Sequence, residues 1–158
     1  MIDKNPYIRD ATNSDIASIK NVVFTSLIEH GLVPEESGKD KYLNDIEKNY
    51  FAANGYFGVL IDEDPHIVVG TFGLISIDNT TCELQKMYLI KRFRGKGWGK
   101  LMMDAAIEQA KQKNYKRIVL ETVSQLKDAI ALYKKYGFVE ITPAIINKRV
   151  DQAFELKL

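Results

Sequence analysis

Three glycines alternate with larger residues between a strand-like segment and a helix-like segment. They are Gly95, Gly97 and Gly99, and the stretch from Lys91 to Met103 also holds five basic residues. Glycine loses more backbone freedom on folding than any other residue, so alternating glycines are costly to order. The pattern predicts a junction at which the backbone turns sharply or leaves room for something that approaches it closely.

The segments around these glycines predict a strand–helix–strand unit. The strand is expected at Cys82–Ile90, the helix at about Trp98–Lys113 and the second strand at Arg117–Thr122. Such a crossover should be parallel and right-handed. Alternation within the first strand places four side chains on one face: Glu83, Gln85, Met87 and Leu89.

Further strands and helices are predicted on both sides of this unit. Upstream, a short strand at 7–9 precedes helices at about Asp15–His30 and Lys41–Phe51, and a hairpin follows at 56–75. Downstream, an apolar stripe predicts a helix that Gly137 ends. Closing strands are expected at Phe138–Ile141 and Ala153–Leu158. The sum is an α/β chain with antiparallel strands first.

Size and charge limit the classes of function. The 158 residues fit one domain, which we place at residues 1–158. With 22 basic and 21 acidic residues, the chain offers no global charge that would favour nucleic acid or a membrane surface. The start shows no apolar core of a signal peptide, and Cys82 is the one cysteine, so we expect a cytoplasmic protein. The two histidines have no partners at ligand spacing, and no metal site is predicted.

The glycine junction has the chemistry of an anion site. The start of a helix offers unpaired N–H groups and the positive end of the helix dipole. Phosphate is the usual anion there, so the segment predicts a diphosphate-binding loop. A simple glycine-rich turn is the alternative.

Two common phosphate loops do not match. The P-loop pattern fails because Leu101 follows Lys100 where Ser or Thr is required, and because Arg94 stands where the first glycine belongs. The dinucleotide pattern fails because Lys100 or Met102 occupies the place of its last glycine. An unrelated nucleotide-binding site is therefore disfavoured.

Three segments instead resemble one enzyme family. Arg92-x-x-Gly95-x-Gly97 resembles the Q/R-x-x-G-x-G/A loop of the GNAT superfamily of N-acetyltransferases. The stretch 83–89 is similar to the central strand of that family. The stretch from Ala129 to Phe138 is similar to its A-x-x-L-Y-x-x-x-G-F signature. The close match covers about residues 82–141.

The resemblance implies a fold and a co-substrate. The fold is a mixed, mostly antiparallel central sheet with a parallel strand–helix–strand core, flanked by helices. Acetyl-coenzyme A is the implied co-substrate, with no metal, and it would be bound by these residues: Met87, Leu89, Arg92, Arg94, Gly95, Lys96, Gly97, Trp98, Gly99 and Lys100. Main-chain groups of Met87 and Leu89 would pair with the pantetheine arm. Among the basic side chains, Arg94 and Lys96 are favoured for neutralising the phosphates.

The resemblance also suggests catalytic roles. Tyr133 is the candidate general acid, because its phenol stays protonated at neutral pH, with Tyr136 as the fallback. Glu83 is the candidate base, directly or through water. The structural alternatives are a core tyrosine and an ordinary charge at the end of a strand. Many relatives carry Asn where this chain has Leu126, which weakens the expected cofactor contacts on that helix.

The acceptor is left open by the sequence. The expected reaction is direct attack of a primary amine on acetyl-coenzyme A in a ternary complex, and the acceptor is a small-molecule or peptide amine. The alternative is a non-catalytic acyl-coenzyme A binding or sensing module. Either a monomer or a homodimer is compatible with the sequence.

Overall fold

The computed structural model describes residues 5–158, which form a seven-stranded sheet with helices on both faces. Residues 1–4 lie outside the described range, and they include part of the segment on which the expectation of no signal peptide rests. The α-helices and strands follow in this order: β1 Tyr7–Asp10, α1 Ile16–Glu29, α2 Ile46–Asn49, β2 Tyr56–Asp62, β3 Ile67–Ser76, β4 Thr81–Leu89, α3 Trp98–Gln112, β5 Arg117–Thr122, α4 Lys127–Lys135, β6 Val139–Ile141 and β7 Gln152–Lys157.

The sheet is mixed, as predicted. Its strand order is β1-β2-β3-β4-β5-β7-β6, and every neighbouring pair is antiparallel except β4 and β5. The β4–α3–β5 unit is the predicted parallel strand–helix–strand core. No helix within the described part of the chain is long and apolar enough to cross a membrane.

Two apolar cores hold the helices on the sheet. On one face α1 packs through Ile19, Val23 and Leu27. On the other face α3 packs through Met102 and Ala106. Each stripe recurs at helical spacing, so burying it fixes which side of the helix meets the sheet.

One predicted helix is wrong. The segment Lys41–Phe51 is not a single helix but a 3₁₀ turn at Lys41–Asn44, the short α2 and a second 3₁₀ turn. The break lies at Asp45, whose backbone is extended (φ −154°) and whose carboxylate accepts a hydrogen bond from the N–H of Lys48. A side chain that caps a new helix start competes with the continuation of the old one.

The predicted face of β4 is also wrong beyond Gln85. Lys86 has φ of 55°, and three steps on β4 oppose two steps on β3, which is a β-bulge. The extra residue reverses the alternation. Glu83 and Gln85 therefore share their face with Tyr88, while Met87 and Leu89 pack against the core under α3.

The parallel strands separate after a short contact. The register between β4 and β5 runs from Thr81↔Arg117 to Glu83↔Val119, although both strands continue well beyond it. The bulge lies in the part of β4 that has left β5. Because β4 and β5 diverge beyond this contact, a gap opens in the middle of the sheet. The candidate site lies at this gap.

Candidate active site

The glycine segment forms a tight turn into α3. Gly95 and Gly97 have φ of 78° and 83°, in the left-handed region that side chains other than glycine rarely adopt. A Cβ at either position would meet nothing within 4 Å, so the space beside this backbone is open. The turn thus presents bare main chain to a cleft, as the glycine spacing predicts.

Helix α3 begins at this opening. Gly97 is its N-cap residue, and Gly99 and Lys100 of its first turn border the cleft. The first N–H groups of a helix have no acceptor within the helix and carry the positive end of its dipole. Because α3 is fifteen residues long, the dipole and the free N–H groups at its start favour an anion at the cleft.

The side chains of the turn tie it to two neighbouring elements. Arg94 Nε donates to the carbonyl oxygen of Leu89 at the end of β4 (2.9 Å), and the guanidinium donates to the carboxylate of Glu29 at the end of α1. Phe93 is buried and stacks on Trp98, with ring centroids 5.0 Å apart. The shape of the turn is therefore fixed by contacts within the chain.

The predicted basic residues fall into two groups. Arg94 and Lys100 border the cleft, but the Arg94 guanidinium already pairs with Glu29. Arg92 and Lys96 are exposed, and their charged groups lie 4.8 and 5.8 Å from the centre of the Phe93 ring. Their contacts are with the aromatic base of the turn.

The cleft itself has a volume of about 410 Å³. We call it the loop cleft, and its walls are the glycine turn, the end of β4 and one side of α4. Several of the predicted cofactor-binding residues meet in it, together with the candidate acid: Met87, Leu89, Arg94, Gly95, Gly97, Gly99, Lys100 and Tyr133. The predicted residue Trp98 packs on Phe93 and is not among the residues that line the loop cleft.

A second cavity, of about 320 Å³, opens on the other side of the separated strands. We call it the sheet pocket. Glu83 and Glu121 line it, so the predicted base lies here and not in the loop cleft. The two cavities share a wall formed by these residues: Met87, Tyr88, Leu126 and Tyr133.

Tyr133 lies in the wall between the cavities. Its side chain is buried, and its ring lies 5.8 Å from that of Phe138 and 6.2 Å from that of Phe154. Burial raises the pKa of the Tyr133 phenol well above its usual range, and Tyr88 adds to this effect. The phenol therefore stays protonated at physiological pH, and its O–H is available as a donor.

The surroundings of Glu83 raise the pKa of its carboxyl group. Burial raises its pKa, and the nearby charge of Glu121 raises it further, while hydrogen bonding to Gln85 works in the opposite direction. A carboxyl group with a raised pKa is a better proton acceptor near neutral pH than an ordinary one.

The fallback acid Tyr136 and the cysteine Cys82 both lie in structural environments. Tyr136 Oη donates to Asp104 Oδ1 at 2.6 Å, which ties α4 to α3. Cys82 is buried in the core, and burial raises the pKa of its thiol to about 12. The structure thus gives Tyr136 a structural contact, and Cys82 the buried environment of an unreactive thiol.

A buried charge cluster that the sequence does not predict lies beside the sheet pocket. Asp40 is fully buried and accepts one hydrogen bond from each terminal nitrogen of the Arg149 guanidinium, at 2.9 Å each. It also accepts from Lys86 Nζ and from the N–H of Glu35. Burial alone would raise the pKa of Asp40, but the hydrogen bonds from Arg149 and Lys86 lower it to about 2.

No local signal marks this cluster in the sequence. Asp40 lies in a polar loop, Lys86 on the bulge of β4 and Arg149 in the connection to β7, so only the folded chain brings them together. Within residues 5–158, no group of three or more His, Cys, Asp or Glu side chains is placed to hold a metal ion.

Comparisons with known proteins point to one family. The model of the Acetyltransferase (GNAT) family matches residues 23–138. An uncharacterized N-acetyltransferase of Escherichia coli K12, YjgM, is 34% identical over 147 residues, which span 90% of this chain and 87% of that protein.

Solved structures share the fold. An acetyltransferase of the GNAT family from Staphylococcus aureus Mu50 superposes with a TM-score of 0.88 at 24% identity, over 97% of this chain and 99% of the other. The PaiA N-acetyltransferase from Thermoplasma acidophilum, solved in complex with coenzyme A, gives a TM-score of 0.78 at 21% identity, over 98% and 99%.

Proposed function

This chain belongs to the GNAT family of N-acetyltransferases, and we propose that it transfers an acetyl group from acetyl-coenzyme A to a primary amine by direct attack in a ternary complex. The observation that carries this proposal is the pair of cavities that meet at Tyr133. One cavity has the features of an anion site, and the other is lined by carboxylates that attract a cationic amine. Holding two reactants next to each other where the cavities meet supplies a large part of the rate of such a reaction.

The loop cleft is our candidate for the coenzyme A site. The N–H groups of the turn from Gly95 to Lys100 would hold the diphosphate, since the left-handed glycines leave the adjoining space open. Main-chain groups of Met87 and Leu89 would orient the pantetheine arm. The proposal gives Arg94 the role of fixing the turn through Glu29, while Arg92, Lys96 and Lys100 add positive charge around it.

The sheet pocket is our candidate for the amine site, with Glu83 as the base. An alkyl ammonium group has a pKa of about 10.4, so it must lose a proton before it can attack. Glu83 would accept that proton, directly or through water, and its raised pKa suits the role. Glu121 would stabilise the ammonium group before the proton leaves.

Tyr133 is our candidate for the acid. Acetyl-coenzyme A supplies the acetyl group as a thioester, and a C–N bond replaces the C–S bond. Tyr133 would give its phenolic proton to the departing sulfur, and it would regain a proton from the nitrogen as the amide forms. Because burial keeps the phenol protonated, Tyr133 is always in its donor form.

Family membership favours this transferase over the non-catalytic acyl-coenzyme A module that the sequence left open. Leu126 is the feature that favours the non-catalytic module. It lies in the shared wall, as the N-cap of α4, and its side chain offers no hydrogen bond to a cofactor. The glycine turn and Tyr133 do not depend on it.

Calorimetric titration with acetyl-coenzyme A tests the cofactor assignment. Gly97→Ala should weaken binding by about tenfold or more, because a methyl group strains the turn and enters the space given to the diphosphate. Gly31→Ala is the matched control, since Gly31 also has a left-handed φ (74°) with nothing within 4 Å of its Cβ position. It should lose similar stability and keep its affinity. Equal affinity of both variants with wild type would contradict the assignment.

A thiol-release assay over a panel of amines tests the transfer itself. Wild type should release coenzyme A only when an acceptor amine is present, with the acetylated amine as the second product. Tight binding of acetyl-coenzyme A with no release for any amine would instead support the non-catalytic module.

A further inference from the structure

The sheet pocket carries two sets of charged side chains that do not pair with each other. Glu83 and Glu121 form the acidic set. Lys39, Lys86 and Arg149 form the basic set, and among the described residues none of the three makes an ion pair with either glutamate. A single small cavity thus offers both signs of charge to a ligand.

The basic set keeps a surplus of positive charge. Its partners are two carboxylates, Asp40 and Glu35, against three cations. Asp40 takes contacts from both Lys86 and Arg149, so one carboxylate serves two cations. Burial lowers the pKa of Lys86, so Arg149 and Lys39 are the members of the set that offer positive charge to an anion.

Arg149 is held in place with donors to spare. Its guanidinium has five N–H groups, and the hydrogen bonds to Asp40 use two of them. Its side chain is 11% exposed and that of Lys86 is 9% exposed, so both charges lie in surroundings with little water. Charge-assisted hydrogen bonds are stronger in such a place than on an open surface.

We propose that the acceptor is an amino acid, bound with its carboxylate at Arg149 and Lys39 and its amine toward Glu83 and Glu121. This inference rests on the proposed acetyl transfer and names the class of its acceptor. A polyamine would place a second cation against the basic set. The amino terminus of a longer peptide lacks the adjacent free carboxylate that this set attracts.

The rest of the lining suits a small side chain of low polarity. Leu27, Leu32 and Ile145 also border the pocket. Ile145 is 67% exposed, and an apolar ligand group beside it would remove part of that surface from water. An ammonium group beside Glu83 would favour the charged carboxylate and so oppose the burial that raises its pKa.

Two matched series of acceptors test the proposal on the wild-type protein. The first is leucine, leucinamide and 3-methylbutylamine, and the second is 4-aminobutanoate, its amide and propylamine. We expect at least one acid to exceed both of its analogues in kcat/KM by about tenfold or more. Leucinamide is the stringent comparison, because its amine has a lower pKa than the amine of leucine. It loses its proton more easily, which works against the expected preference for leucine.

Two variants locate the preference. Arg149→Gln should reduce the preference for the acid to near unity while the affinity for acetyl-coenzyme A stays unchanged. Arg9→Gln is the matched control, because Arg9 also forms a bidentate pair with a carboxylate, Asp15, but borders neither cavity. Lys39→Gln, at a side chain that is 40% exposed, should lower the preference without loss of folding.

The failures can be told apart. Amides and simple amines that are acetylated as well as the acids would overturn the amino-acid assignment and leave the acetyl transfer standing. If no compound is acetylated, calorimetry of leucine and of 4-aminobutanoate into the coenzyme A-loaded protein decides. Binding that requires Arg149 would support the carboxylate site, and no binding would overturn the amino-acid assignment, while the panel of amines decides the transfer itself.

Discussion

The loop cleft and the sheet pocket lie on two sides of one wall, but they are built from different parts of the chain. The loop cleft is formed by neighbouring residues, from the end of β4 through the glycine turn into α3, and by one side of α4. The sheet pocket is formed by side chains from distant segments, including Lys39, Glu83, Glu121 and Arg149.

This difference separates a general function from a specific one. Main chain at a helix start binds phosphate whatever the side chains are, provided that glycine keeps the approach open. A cavity lined by charged side chains selects its ligand through their number and position. We therefore expect substitutions at the pocket to change which acceptor is used, and substitutions at the turn to change how tightly the co-substrate binds.

The largest effect should come from the wall that both cavities share. Tyr133→Phe removes the proposed acid, so kcat should fall by about 10²-fold or more while the affinity for acetyl-coenzyme A is kept. Steady-state rates and calorimetry on the same preparations measure the two quantities. Tyr136→Phe is the control, because the Tyr136 hydroxyl bonds Asp104 outside the wall. Equal rates for Tyr133→Phe and wild type would remove Tyr133 from the mechanism.

The second effect concerns the stability of the pocket. Asp40→Asn leaves the cations Lys86 and Arg149 without their buried carboxylate, which should cost about 3–5 kcal/mol in the free energy of unfolding. Urea denaturation measures this cost.

Asp15→Asn is the matched control for that cost. Asp15 pairs with Arg9 through two hydrogen bonds of 2.8 Å, but Arg9 is 41% exposed, so we expect a loss of only about 1 kcal/mol. Similar losses in the two variants would show that burial does not set the Asp40 cluster apart.

A smaller effect is expected at the base of the glycine turn. Glu29→Gln weakens the contact that holds Arg94, so the affinity for acetyl-coenzyme A should fall by about fivefold, as for the loss of a partly exposed ion pair. Glu155→Gln, which breaks the Arg117–Glu155 pair on the sheet, should leave the affinity unchanged. Tighter binding in Glu29→Gln would mean that the released Arg94 pairs with the phosphates itself.

The smallest effect is a shift in pH dependence. Activity requires Glu83 without its proton, so kcat/KM should fall as the pH drops through its raised pKa. Burial is the main cause of that raised pKa and Glu121 the second, so Glu121→Gln should move the acidic limb to lower pH by less than about one unit. Glu140→Gln, at an exposed side chain, is the control and should leave the acidic limb in place. A shift of the limb to higher pH in Glu121→Gln would exclude Glu83 as the group that titrates.

The same contrast explains how far the sequence alone leads. The sheet, the parallel β4–α3–β5 core and the glycine turn follow from periodicity and glycine spacing, which are local in the chain. The helix predicted at Lys41–Phe51 was wrong because Asp45 caps a new start, a choice made by one side chain. The face predicted for Met87 and Leu89 was wrong because a bulge at Lys86 reverses the alternation.

The grouping of charged side chains at the sheet pocket could not be predicted from the sequence, for a different reason. Asp40 and Arg149 are 109 positions apart, and each looks like a solvated charge in its own stretch of sequence. Their pairing depends on how the loop before α2 and the connection to β7 meet over β4. Contacts of this kind arise from the packing of whole elements, and no spacing rule encodes them.

A crystal structure of the protein with coenzyme A tests the central claim most directly. The account predicts that the diphosphate lies on the N–H groups of the turn from Gly95 to Lys100, and that the sulfur lies within about 4 Å of Tyr133 Oη, at the wall between the two cavities. A diphosphate bound away from the turn, or a sulfur out of reach of Tyr133, would contradict it.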